Sequence, residues 1–146
     1  MEIRSARSAD ADSVNALLEQ LGYPQRGRAT TAARIQAWVD DPAGAAFVAD
    51  DSGDLLGVIA VHVCPFFERE GGWARITALV VAERARGRGV GARLVAAAEA
   101  FAAARGCVRM EVTSADRRHA AHSFYRSRGY TDQAGISTRF LRELPV

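Results

Sequence analysis

The stretch from residue 76 to residue 106 constrains the fold more than any other part of the chain. It reads ITALVV, then AERARGRGVG, then ARLVAAAEAFAAARG. The apolar, β-branched run predicts a strand, and the alanine-rich run predicts a helix over about 89–105 that ends at Gly106. Glycines alternate with other residues between the two. A strand that turns through glycines into a helix is typical of an α/β fold.

The rest of the chain predicts one central sheet flanked by helices. Ser8 or Asp10 is expected to cap the first helix. Ile35, Trp38 and Val39 are expected to share one face of the second helix. The predicted strands cover 1–6, 45–50, 55–63, 73–81, 107–114 and 138–144, and the predicted helices cover 10–21, 30–40, 89–105 and 117–128.

Composition narrows the class of protein. At 146 residues, with 49% apolar and 25% charged residues, we predict a single soluble domain over 1–146. The net charge of +2 gives no argument for a nucleic-acid partner. The N-terminus lacks a secretory signal pattern and no apolar run could cross a bilayer, so we expect a cytoplasmic protein without a membrane partner. Two isolated cysteines predict free thiols and no structural metal.

The glycine turn has the chemistry of an anion site. The first amides of a helix lack partners within the helix, and aligned peptide dipoles place about half a positive charge there. Arg86 and Arg88 would add attraction for phosphate. A tight turn with solvated arginines is the alternative.

Two common phosphate loops do not fit this turn. All basic residues are arginine, so the lysine of an ATP-binding P-loop is missing. The dinucleotide fingerprint needs a third glycine where this chain has Ala92. The pattern that fits is R-x-x-G-x-G, from Arg86 through Gly89 to Gly91.

ITALVVAERARGRGVGARLVAAAEAFAAARG resembles motif A of the GNAT superfamily of acyl-CoA-dependent N-acetyltransferases. A second segment, HSFYRSRGY at 122–130, is similar to the F-Y-x-x-x-G-[FY] helix end of that superfamily. The resemblance covers about residues 1–144. It implies a GNAT fold, with a mixed, mostly antiparallel sheet of about six or seven strands and about four helices.

The resemblance also implies a binding site for acetyl-CoA as the acyl-donor cosubstrate. The turn would hold the pyrophosphate on its backbone amides, and the preceding strand would pair with the pantetheine arm. The residues implied are Leu79, Val80, Val81, Arg86, Gly87, Arg88, Gly89, Val90, Gly91 and Ala92.

Two residues are candidates for proton transfer. The resemblance places Tyr125 where the family usually has its general acid, and a protonated phenol can donate to a departing thiolate. Packing as a core aromatic is its alternative role. Glu111 lies in an apolar strand, where alternation turns it away from Met110 and Val112. It is the candidate base, and a solvent-exposed or arginine-paired glutamate is the alternative.

The acceptor is less constrained than the donor. The chain looks most like the aminoalkylphosphonate-acetylating branch, but lacks the acidic residues of that branch near Arg75. An Asn common in the family is replaced by Arg118. Each candidate acceptor contact also fits an ordinary packing or solvated role. These contacts are His62, Phe66, Phe67, Arg75, Arg118, His119 and His122.

We therefore expect an enzyme that acetylates a primary amine, in a small molecule, by direct attack in a ternary complex. An acetylase of protein N-termini or side chains and a non-catalytic acyl-CoA sensor are the alternatives. Relatives of this kind are commonly dimers, so a homodimer is also expected. Arginine and glycine alone, without interleaved aromatic residues, do not favour nucleic-acid binding.

Overall fold

A computed structural model describes residues 1–114 and 118–146. The chain divides into two compact units, Met1–Thr113 and Ser114–Val146. Each unit is described by itself.

The first unit alternates helices and strands around one sheet. Its helices are α1 and α2 before the central hairpin and α3 after the glycine turn; short 3-10 turns occupy Ser8–Asp10 and Glu83–Ala85. The bounds are β1 Glu2–Ser5, α1 Ala11–Leu21, α2 Arg28–Asp40, β2 Gly44–Asp51, β3 Asp54–Pro65, β4 Gly72–Val81, α3 Val90–Ala104 and β5 Cys107–Val112. The predicted hairpin, the strand before the glycine turn and the long helix after it are confirmed.

The sheet has five strands in the order β1-β2-β3-β4-β5. The first four pair antiparallel, and β5 runs parallel to β4. A mixed, mostly antiparallel sheet was expected, and this is confirmed. Val58 and Ile59 are neighbours on β3 and are both buried. Because successive side chains point to opposite faces, both faces of the sheet are covered at this position.

Helix α3 lies against β3 at a position where no side chain could fit. A Cβ built on Gly57 would lie 2.9 Å from the Val80 carbonyl oxygen and from Leu94, and 3.3 Å from Val90. Glycine therefore lets the first turns of α3 approach the sheet closely. This packing holds the start of the helix, and with it the glycine turn, against the end of β4.

Strand β4 changes partners along its length. It pairs with β5 only from Gly72 to Ile76, but stays paired with β3 as far as Val81. The register against β3 shifts between Ile76 and Ala78, which leaves Thr77 as a bulge residue. Bulges bend a strand, so β4 leaves β5 at this point. Between Thr77 and Val81 one edge of β4 has no strand partner in the described part of the chain.

The second unit contains α4, His119–Ser127, which ends before Gly129 as predicted. The helix was expected from residue 117, which lies outside the described residues. The strand expected over 138–144 is wrong, because these residues form no strand. Phe140, Leu141 and Leu144 are exposed. A short segment with apolar residues forms a strand only beside a sheet edge, so the described chain has five strands rather than six or seven.

Two smaller expectations are met in part. Asp10 occupies the N-cap position of α1, but its side chain makes no capping hydrogen bond. The Asp10 carboxylate instead accepts hydrogen bonds from the Arg4 guanidinium and the Arg7 amide. Val39 is 41% exposed, whereas Ile35 is buried. In the described residues, no helix is long and apolar enough to cross a membrane.

Candidate active site

The glycine turn joins the end of β4 to the start of α3. Gly87 and Gly89 have φ of 80° and 77°, which lie in the left-handed region that L side chains rarely adopt. A Cβ at either position would meet nothing within 4 Å. These glycines are therefore required by backbone conformation, and the space beside them is open to a ligand.

The amides of this turn are available to an anion. In the described part of the chain, no backbone amide from Gly87 to Ala92 donates a hydrogen bond to a protein acceptor. Buried or not, backbone amides normally find a partner in protein or water. A run of free amides at the N-terminus of a 15-residue helix fits a diphosphate. The free amides of the turn therefore fit the CoA diphosphate that the sequence implies.

The two arginines of the turn differ in their contacts. Arg88 lies 3.7 Å from the Asp51 carboxylate, which belongs to the β2–β3 hairpin, and both side chains are about half exposed. Arg86 is exposed, and its amide donates to the Glu83 carbonyl at 3.3 Å. Both guanidinium groups are therefore accessible to phosphate oxygens in solvent. Val90, by contrast, is buried and anchors α3.

The strand before the turn presents its free edge at the predicted pantetheine position. Leu79, Val80 and Val81 all lie beyond the point at which β5 ends. Val80 is buried, whereas Leu79 and Val81 are half-buried. The Val81 carbonyl accepts a hydrogen bond from Gln20 of α1 at 3.0 Å. The other residues of this free segment can offer main-chain groups to an extended ligand.

Gln20 stabilises the bend between the end of β4 and the glycine turn through two hydrogen bonds. Its side-chain nitrogen donates to the Val81 carbonyl, and its side-chain oxygen accepts from the Glu83 amide at 3.2 Å. One side chain therefore satisfies both a carbonyl and an amide on the two sides of the bend. Sequence reasoning missed Gln20, because a polar residue on an amphipathic helix is usually solvated.

Glu111 is paired with Arg75 on the neighbouring strand. The two residues are opposite each other in the β4–β5 register. Arg75 Nη1 donates to Glu111 Oε1 at 2.8 Å, and Nη2 donates to the Thr113 hydroxyl at 2.7 Å. The side chains are 34% and 42% exposed. The pair lies one register position before the end of β4–β5 pairing, next to the opening in the sheet.

His62 lies in the same row of the sheet. It is opposite Arg75 on β3, so His62, Arg75 and Glu111 occupy one face. Its Nε2 lies 3.1 Å from the Asp41 carboxylate, and the Trp38 ring packs edge-on at 5.7 Å. A hydrogen bond from the Ala43 amide and then the His62 contact hold the pKa of Asp41 below its usual value. His62 is thus a partnered histidine at the rim of this face.

The two phenylalanines of the loop after β3 behave differently. Phe66 is half-buried, and the Arg69 and Arg109 guanidinium groups lie 4.1 and 5.5 Å from its ring centroid. Phe67 is fully exposed. Core packing is therefore excluded for Phe67, and Phe66 is held between cations.

In the second unit, Tyr125 lies half-buried on α4 beside Phe124 and Tyr130. The ring centroids are 5.3 and 5.8 Å away. Burial raises the pKa of the Tyr125 phenol, and the Arg118 charge only partly offsets this. The phenol therefore stays protonated throughout the neutral range, which is the state that a general acid needs.

The two histidines of α4 lie together. His119 and His122 have ring centroids 5.9 Å apart, in an edge-to-face arrangement. Arg118 precedes them at the N-cap position of the helix. Among the described residues, no three His, Cys, Asp or Glu side chains converge on a point that could hold a metal.

A separate surface depression lies at the end of α3 away from the glycine turn. It has a volume of about 250 Å³ and lies between the last turns of α3 and β5, near Ala102 and Val108. The glycine turn is at the opposite end of α3. We therefore do not assign acetyl-CoA to this depression.

An α/β sheet that opens at one strand, with free amides at the following helix, defines a coenzyme A-dependent acyltransferase. The Acetyltransferase (GNAT) family model matches residues 12–130, and the chain belongs to this family. It is an N-acetyltransferase of the GNAT type, and acetyl-CoA is its acyl donor.

Similar proteins agree with this assignment. The aminoalkylphosphonate N-acetyltransferase of Salmonella typhimurium is 32% identical over 130 residues, which cover 88% of this chain and 84% of that protein. An acetyltransferase structure from Agrobacterium tumefaciens str. C58 has a TM-score of 0.86, with 24% identity over 99% of this chain and all of the other. An aminoglycoside N-acetyltransferase solved with CoA has a TM-score of 0.80, with 17% identity over 99% and 100% of the two chains. The predicted GNAT fold is confirmed.

Proposed function

We propose that this enzyme acetylates the primary amine of a small molecule by direct attack in a ternary complex. The observation that carries the proposal is the glycine turn, whose free amides adjoin the open edge of β4. The Salmonella relative is an aminoalkylphosphonate N-acetyltransferase, which makes aminoalkylphosphonates the first acceptors to test.

The residues named from Arg86 to Ala92 would hold the diphosphate, and Leu79 to Val81 would align the pantetheine arm. Acetyl-CoA supplies an activated acetyl group. A backbone amide of the same strand segment would stabilise negative charge on the acetyl oxygen. No side chain is needed for this role, because the open edge of β4 already carries unpaired main-chain groups.

The amine must lose a proton before it can attack. A free aliphatic amine is mostly protonated at pH 7, since its pKa is about 10. Glu111 takes one proton from the ammonium through its free oxygen, directly or through water. The nitrogen lone pair then forms the C–N bond to the acetyl carbon while the C–S bond breaks. The nitrogen gives up a second proton to solvent, and Glu111 then releases the first proton to solvent, which restores its carboxylate.

The departing sulfur needs a proton. We assign this step to Tyr125, on its place in the F-Y motif and on the pKa that keeps its phenol protonated. The sulfur leaves as a thiol, and the phenolate regains a proton from solvent. Overall, one ammonium and one thioester give one amide, one thiol and one proton.

The test is an acetyl-CoA thiol-release screen over amino acids, aminophosphonates, polyamines, aminoglycosides and short peptides. We expect release with small amines. Release with peptides alone would overturn the small-molecule acceptor and favour protein acetylation. Binding of acetyl-CoA without turnover on any amine would favour a sensor. A homodimer stays a prediction, and sedimentation of the purified protein tests it.

A further inference from the structure

The pair of Arg75 and Glu111 combines opposite charges with unused hydrogen-bonding capacity. A guanidinium has five N–H donors. Two nitrogens of Arg75 are engaged, with Glu111 and with Thr113, through one hydrogen bond each. Within the described residues, Nε makes no hydrogen bond, and Glu111 Oε2 accepts none. Arg75 can therefore donate to an anionic group of a ligand, and Glu111 can accept from a cationic group, without loss of the hydrogen bond between the two residues.

Exposure and position make this capacity usable. Arg75 and Glu111 are 34% and 42% exposed, so a small molecule can reach both. They share a register position, and the sheet opens immediately beyond it at Thr77. Thr113 accepts a hydrogen bond from Arg75 Nη2 and so restrains the guanidinium, while Nε has no partner among the described residues. The pair is thus a rigid, half-exposed cation beside a half-exposed anion.

We propose that Arg75 and Glu111 together form the receptor for a zwitterionic acceptor, such as an aminoalkylphosphonate or an amino acid. Arg75 binds the phosphonate or carboxylate through its unused N–H groups, in the planar geometry that suits these anions. Glu111 Oε2 binds the ammonium, which places the proton to be removed on the base. This inference rests on the proposed function, and it adds the substrate class and the residue that selects it.

The second arginine on this face of the sheet, Arg109, contacts an aromatic ring. Arg109 lies two residues before Glu111 on β5, and so on the same face. Its guanidinium lies over the Phe66 ring, where Arg69 also packs. Arg75 is therefore the arginine in direct contact with the candidate base.

The experiment measures acceptor binding by calorimetry with the protein saturated with CoA, so that no turnover occurs. The probes are 2-aminoethylphosphonate, β-alanine and propylamine. With Arg75→Gln, we expect the Kd of the two zwitterions to rise about 10- to 100-fold, because a charge-assisted contact is lost. The Kd of propylamine should stay at its wild-type value. Arg75→Lys keeps the charge without the planar fork and should recover part of the affinity.

Arg84→Gln is the matched control. Arg84 is an exposed arginine that pairs with Asp54 at the start of β3, beyond the Val81 end of the β3–β4 ladder and so away from Arg75. It should leave all three affinities unchanged. Thermal melts of each variant check that the fold is intact.

The outcomes separate this inference from the proposed function. Equal loss of zwitterion and propylamine binding in Arg75→Gln, or tighter propylamine than zwitterion binding in the wild type, overturns the receptor. If the wild type acetylates only amines that carry no anionic group, the receptor is overturned and the proposed function still stands. Arg75-dependent zwitterion binding with no acetylation in the presence of acetyl-CoA would support the receptor and overturn the proposed function.

Discussion

Tyr125 is the residue at which acid catalysis is most directly tested. Replacement by Phe removes the proton and keeps the ring, so we expect kcat to fall about 100-fold while CoA affinity stays unchanged. Because the pKa lies above its ordinary value of 10.0, the wild type should show no loss of activity from this group between pH 6 and 9. Steady-state kinetics across this range make the measurement.

Tyr23→Phe controls for the loss of a tyrosine hydroxyl, since Tyr23 is 62% exposed and lies outside the site. An unchanged kcat in Tyr125→Phe across pH 6–9 would remove the acid assignment.

Glu111→Gln tests the proposed base, again by a change at a single residue. We expect kcat to fall about 100-fold at pH 7, because the amide cannot take the ammonium proton. The deficit should shrink as the pH approaches about 10, where the amine itself is increasingly deprotonated. A pH profile of kcat for both proteins measures this. If the deficit is constant with pH, Glu111 acts on binding or structure rather than on the proton.

At the scale of elements, the glycine turn depends on a left-handed backbone conformation that glycine adopts readily and other residues rarely adopt. Gly89→Ala places a side chain at φ 77°, which costs about 1–2 kcal/mol. Relaxation of the turn would misalign the free amides. We therefore expect the Kd of CoA, measured by calorimetry, to rise about tenfold or more.

Gly106→Ala is the matched control for that change. Gly106 has φ 78°, has open space around its Cβ position, and lies at the other end of α3. The same backbone cost should lower stability without changing CoA affinity. Equal effects of the two changes on the Kd would mean that the turn does not bind the coenzyme.

At the scale of the whole molecule, one ion network joins the first strand to two other segments. Arg4 on β1 donates to Asp10 and to Asp50 of β2, and the three side chains are 10–20% exposed. Burial alone would raise the pKa of Asp10, but the Arg4 hydrogen bond and the Arg7 amide outweigh it and lower the pKa. Hydrogen bonds from Arg4 and then from the Gly53 amide lower the pKa of Asp50.

This network predicts an acid-sensitive part of the stability. Carboxyl groups with lowered pKa stabilise the fold above their unfolded value of about 4, and this contribution disappears as the pH falls through the folded value. Arg4→Met leaves Asp10 without its cation, so we expect a loss of about 1–3 kcal/mol at pH 7. The difference from wild type should shrink as the pH falls below about 4, where these carboxyl groups become protonated.

Urea unfolding at several pH values measures that loss. Arg28→Met, which breaks the exposed pair with Asp12, should cost much less, because solvent screens an exposed ion pair. Equal losses in the two variants, or a loss in Arg4→Met that does not depend on pH, would contradict the role of the network.

Local patterns in the sequence determined the strand before residue 82, the glycine turn, α3 and α4. These patterns suffice because positive φ at Gly87, helix periodicity and β-branched runs are properties of neighbouring residues. The same locality explains the failure at 138–144. Its apolar residues suggested a strand, but a strand also needs a partner edge that no local pattern supplies.

Only the tertiary structure decided which side chains meet. The contacts of Arg75 with Glu111 and of Gln20 with Val81 join residues 36 and 61 positions apart. The first depends on the β4–β5 register and the second on how α1 packs on the sheet. The sequence therefore indicated the proposed donor turn, whose chemistry lies in its own backbone. The proposed acceptor face required the fold, because its charges come together only when separate strands are aligned.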